Sequence, residues 1–177
     1  MFKKSAAVLA VAMLAATVPA NAQNCSGVTS CTVTSQASLM IPALIDLTVA
    51  GAGNINLTSP TAADLTTGYV QDAGPAITVK ANRTWTLAVH TTAVTNWTYV
   101  GTQGGVKPIE DLTWSNTATG TYSAISGTAA SVVTNQARTN AGAPTIFFRT
   151  VYSSDFSSDS NAAGAYILPL VFTLSAP

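Results

Sequence analysis

Tyr166, Leu168, Leu170, Phe172 and Leu174 place a large apolar side chain at every second position near the end of the chain. A period of two puts such residues on one face of a β-strand, whereas a helix would need a repeat of three or four. A strand this apolar must be buried or paired, because a bare one is a template for aggregation. The same alternation runs through Trp85, Leu87 and Val89, with the smaller or polar Thr84, Thr86, Ala88 and His90 between them. It recurs near the start of the polar region in Val33, Ala37, Leu39 and Ile41, before Pro42 interrupts it. Further β-type runs lie at 44–49, 76–80, 97–100, 112–115, 122–125 and 145–152, separated by Gly-, Asn- and Ser-rich turns. The stretch 56–74 reads as loops around at most one short strand, and no segment carries a helical stripe. Many short strands with this punctuation predict an all-β fold, an antiparallel β-sandwich of Ig-like general architecture.

Ahead of these strands stands a segment of a different kind. Lys3 and Lys4 precede an uncharged apolar run from Ala6 to Val18, followed by Pro19 and the small-residue triplet Ala20-Asn21-Ala22. Such a segment reads as a cleavable secretory signal peptide over residues 1–22, cut between Ala22 and Gln23. The run is shorter than the roughly 20 apolar residues that span a bilayer core, and no second span follows. Residues 23–177 are then expected to form one β-sandwich domain, exported to the cell surface or the extracellular space, with 23–34 as a disulfide-containing N-terminal segment.

Cys25 and Cys31 are the two cysteines of the chain. Their C-x5-C spacing in an exported protein can close a small disulfide loop, adding roughly 2 kcal/mol in the chain-entropy model. A zinc pair would need more ligands, and His90 is the single histidine.

Removal of the leader takes two of the seven basic residues and leaves five against seven acidic ones, a formal net charge of −2. Five scattered cations make no face that displaces counterions, so no nucleic-acid partner is expected. Catalysis finds equally little. A Ser-His-Asp site would rest on His90, whose parity sets it opposite Trp85, Leu87 and Val89 beside a turn, and no serine sits in G-x-S-x-G. Glu110 and Asp111 are adjacent at an expected strand start, which would send them to opposite faces rather than pair them for glycoside cleavage. The loop 153–161 gathers Asp155, Asp159 and several serines but lacks the order of a calcium-binding loop. No Gly-rich loop opens a helix, so no cofactor is expected. Trp97, Tyr99 and Trp114 could offer flat faces to sugars, yet the shared parity of Trp97 and Tyr99 favours core packing.

Two stretches resemble the paired signature of the WxL domain, a bacterial cell-surface module. The first is Trp85-Thr86-Leu87 within Ile77 to Val89. The second runs from Gly164-Ala165-Tyr166 to Phe172-Thr173-Leu174-Ser175-Ala176-Pro177, where Phe172 stands in place of the second Trp. Leu39-Met40-Ile41-Pro42 resembles that family's opening strand. The resemblance implies an all-β domain held noncovalently to wall polymers, with Trp85, Leu87, Phe172 and Leu174 as strand residues of the core or of a shared groove.

The expected function is therefore that of a secreted, non-enzymatic surface module, its partners a cell-envelope polymer or other surface proteins. The rival expectation is a pilus or fibre subunit that self-associates by donating segment 32–41 to a neighbour's sheet edge. An extracellular carbohydrate-active enzyme is the third, weakened by the inventory of acids and histidine.

Overall fold

The computed structural model describes residues 26–27, 29–33, 35–51 and 54–176. Ala22, Gln23 and Cys25 lie outside the described residues, so the expected cleavage point and the Cys25–Cys31 pairing do too; no free cysteine occurs among the described residues. The chain divides into two units, Met1–Met40 and Ile41–Pro177.

In the first unit the described residues form no helix or strand, and Leu39 and Met40 are 86% and 90% exposed. The alternation from Val33 to Ile41 does not produce a strand. A β-strand exists only through its ladder, and none of the described residues here pairs with another strand.

The second unit is an antiparallel β-sandwich, built of β1 (Ile45–Val49), β2 (Tyr69–Ala73), β3 (Ile77–Ala81), β4 (Trp85–Thr91), β5 (Thr98–Val100), β6 (Leu112–Ser115), β7 (Ser123–Ala124), β8 (Ala130–Gln136), β9 (Thr139–Gly142), β10 (Phe147–Val151), β11 (Ala165–Ile167) and β12 (Leu170–Ser175). Its sheets run β1-β3-β9, β2-β10-β6-β7, β11-β5 and β12-β4-β8, every pairing antiparallel. Inward residues of β3 and β4 meet those of β6 and β10 in one core that includes Val79, Leu87, Val89, Leu112 and Phe148. Alternation fixes which side chains reach it: Trp85, Leu87, Val89 and Thr91 are buried while the residues between them are half-buried.

Three expectations need correction. Residues 62–67 form a short helix, α1 (Ala62–Thr67), where only loops and a strand were expected. Its start is a capping box, Thr61 and Asp64 each bonding the other's backbone N–H, and Gly68 closes it in the left-handed conformation at φ 89°. Glu110 and Asp111 belong to a 3-10 turn (Ile109–Asp111) instead of a strand start. The strands β8 and β9 arise from sequence with little alternation; Val132 is the one buried residue of the pair.

The outer face of β10 carries Arg149, whose guanidinium lies 4.5 Å from the ring centroid of Tyr69 and 3.9 Å from that of Tyr122. Its Nε donates to Gln71 Oε1 at 2.9 Å, which holds the cation flat against the sheet.

Candidate assembly groove

Within the second unit, a groove of about 1040 Å³ opens between the segment 54–60 and the segment 160–170. Each wall carries a short apolar row. Ile55 and Leu57 alternate with exposed Asn54, Asn56 and Thr58, yet 54–60 joins no sheet. Thr58 anchors that wall, donating from its hydroxyl to Asp72 at 2.6 Å and from its backbone N–H at 3.2 Å. On the other wall, Leu168 and Leu170 lead into β12, the terminal strand of its sheet. Along this wall Tyr166, Leu168 and Leu170 pack against the core and stay half-buried, as do Phe172 and Leu174 farther along β12, beyond the groove lining.

The turn before β12 is built by close approach. Tyr99 and Tyr166 stack with ring centroids 5.1 Å apart, and their hydroxyls donate to Ala163 and Ala162 carbonyls at 2.7 and 2.9 Å. Gly164 permits this, because a Cβ there would sit 2.5 Å from the Tyr99 ring. Burial raises the proton affinity of the Tyr166 hydroxyl, and neighbouring Tyr99 raises it further.

Residues from distant parts of the chain form the inner end of the groove: buried Trp97, Lys107, Leu112 and Thr150 with half-buried Tyr152. Lys107 is 2% exposed, and its ammonium is fully engaged. Nζ donates to Asp111 Oδ2 at 3.0 Å and to the Val151 carbonyl at 2.6 Å, and it lies 4.5 Å from the centre of the Tyr152 ring. Burial lowers its pKa from the ordinary lysine value, opposed by the Asp111 charge and by the hydrogen bond to it. Such a group is a clamp between the 3-10 turn and β10, not a free base. Burial likewise raises the Tyr152 phenol above its ordinary value.

Thr150 is 4% exposed and its hydroxyl has no hydrogen-bond partner, although the Tyr152 phenol lies close enough for Thr150 to lower its pKa against the effect of burial. An unpartnered buried hydroxyl costs about 1–3 kcal/mol. Asn161 Oδ1 is also unpartnered at the groove, although its amide donates to the Ser153 and Asp155 carbonyls at 2.7 and 2.9 Å.

The sequence-derived candidates fall into two groups. Trp85, Leu87, Phe172 and Leu174 come together, since β12 pairs with β4 so that Leu174 faces Leu87 and Phe172 faces Val89. Trp85 is a core residue, 3% exposed, donating from its indole to the Ala137 carbonyl at 2.9 Å. Trp97 and Trp114 are buried as well, and Trp97 donates to the Pro108 carbonyl at 3.0 Å. His90 is half-buried with Nδ1 unpartnered. Asp155 spends its carboxylate on the backbone and hydroxyl of Ser157, at 2.9 and 2.7 Å. Among the described residues no three metal-ligating side chains gather, and no helix is long and apolar enough to cross a membrane. Nothing local marks Thr150 on β10 as a groove residue, and Lys107, which lies outside the strands, is brought there by the fold.

No family model matches this sequence, and no curated protein does. Among solved structures, a chain from the structure of a chaperone-usher pilus is similar with a TM-score of 0.44 and 13% identity, over 82% of this chain and 94% of that one.

Proposed function

We propose that this chain is an exported fibre subunit in which segment 32–41 of one copy fills the groove of the next as an added strand. The observation that carries this reading is the half-covered apolar row Leu170, Phe172 and Leu174 on β12, a strand with one unpaired edge, which half-buried Leu168 just ahead of it continues into the groove. Segment 32–41 has the complementary form: its sequence alternates, and its described residues are unpaired and exposed, with Ile41 at 68% and Leu39 at 86%. Backbone hydrogen bonds to the free edge would supply affinity, and alternate side chains in the groove would supply selectivity. Burying a side chain such as Leu39 or Ile41 contributes about 1.5–3 kcal/mol. Secretion by the leader and closure of a Cys25–Cys31 loop belong to the same reading, the loop standing just ahead of the donated strand.

The purified mature chain is expected to sediment on its own and to form filaments visible by negative-stain microscopy. Leu39→Asp is expected to leave melting unchanged and abolish sedimentation. A wild-type chain that stays monomeric through prolonged incubation at high concentration sinks the proposal.

A second reading, attachment to wall polymers, follows from the WxL resemblance and is favoured by the side-by-side pairing of its two motif-like stretches on β4 and β12. Sedimentation only when isolated wall material is added distinguishes it from the fibre.

A further inference from the structure

We infer that Ser35 and Thr150 set the register of the added strand, the Ser35 hydroxyl of one copy bonding the Thr150 hydroxyl of the next. The inference rests on the strand-donation reading and specifies which residue goes where. Along segment 32–41 the apolar parity consists of Val33, Ser35, Ala37, Leu39 and Ile41. A strand that turns this parity inward carries one polar side chain into the groove, Ser35. The receiving groove in turn contains Thr150, almost wholly buried on the inward face of β10 and without a hydrogen bond of its own. Asn161 is the less suitable match, because its amide already makes two bonds in the loop 153–161. Two hydroxyls satisfy each other in either donor sense, so the pair needs no particular rotamer or charge state.

A mismatch is penalised in both directions. A register slipped by two residues would set Val33 or Ala37 against Thr150 and bury Ser35 among apolar side chains. Both hydroxyls would then be buried without partners, which is the condition that makes a polar contact selective. The apolar residues supply adhesion, and this pair supplies position.

The test uses the full mature chain carrying Leu39→Asp, whose own segment is no longer donated, as receptor for a fluorescent peptide of residues 32–41. On this receptor Ser35→Ala in the peptide is expected to weaken binding about tenfold. On the receptor that also carries Thr150→Val, the two peptides are expected to bind within about twofold of each other, as a double-mutant cycle requires of coupled groups. A peptide with the hydroxyl moved by two positions, Ser35→Ala with Ala37→Ser, is expected to bind no better than Ser35→Ala alone, an outcome that does not depend on Thr150→Val folding. Equal loss on both receptors, or rescue by the moved hydroxyl, overturns the register while leaving strand donation standing. Failure of the unaltered peptide to bind overturns both.

Discussion

β4 and β12 are adjacent in one sheet, run antiparallel and carry the same alternating apolar pattern, yet they are covered very differently. β4 lies between β12 and β8, and Trp85, Leu87 and Val89 are 3%, 0% and 0% exposed. β12 has one paired edge, and its equivalent residues Leu170, Phe172 and Leu174 remain half-buried. The apolar pattern is thus a statement of what a strand needs, and topology decides whether the chain supplies it alone. On β4 it does. On β12 the row stays half-covered, and under the proposed strand donation segment 32–41 of another copy would cover it.

The largest test of this contrast is on the closed side. Trp85→Ala is expected to destabilise the subunit by about 3–5 kcal/mol, through lost burial and a residual cavity. Urea unfolding of the assembly-blocked chain measures it. Asp111→Ala comes next, at about 3 kcal/mol, because it leaves the buried Lys107 ammonium without its carboxylate. The pH dependence has a definite sign. Lys107 has a lowered native pKa, so between that value and the ordinary 10.5 the unfolded state binds more protons, and stability rises with pH across this window. Lys107→Met is expected to remove that rise, and melting curves taken across the alkaline range check it.

Phe172→Ala sharpens the contrast from the open side. In the isolated subunit a half-covered ring is expected to cost about 2 kcal/mol, roughly half the core value. With the peptide of residues 32–41 bound, the cost is expected to grow toward that of Trp85→Ala. An equal cost in both states would show that β12 is already complete.

This difference also explains how much could be read from the sequence. Period-two alternation made β4 and β12 legible, since both faces of a strand are recorded in its own residues, but not the break at Leu168-Pro169 that divides the run 166–174 between two sheets. The half-exposure of β12 was not legible, because it depends on what lies beside it. Strand pattern in 32–41 was visible too, but a pattern without a ladder makes no strand. β8 and β9 were hidden for the opposite reason, being paired in space while offering little to the core. Lys107 meets Asp111 four residues away and Val151 across the fold, and only the first contact leaves a trace in sequence. The helix α1 had a local signal after all, in Thr61 and Asp64 at capping-box spacing.

That helix provides the smallest and most local test. The Asp64 carboxylate accepts from the Thr61 backbone and hydroxyl at 2.8 and 2.7 Å, and these bonds hold its pKa below the ordinary 3.8. A native pKa below the unfolded one contributes stability that is present above 3.8 and is lost as pH falls through the native value. Acid should therefore loosen α1, whose Leu65 lines the groove, before it touches β4, which has no carboxylate. Amide hydrogen exchange is expected to show protection of Leu65 and Gly68 falling below pH 3.8 while that of Leu87 and Val89 holds, and Asp64→Asn to flatten the α1 response. If β4 loosens in step with α1, the groove side and the closed core open as one unit, and the separation between them is weaker than their burial indicates.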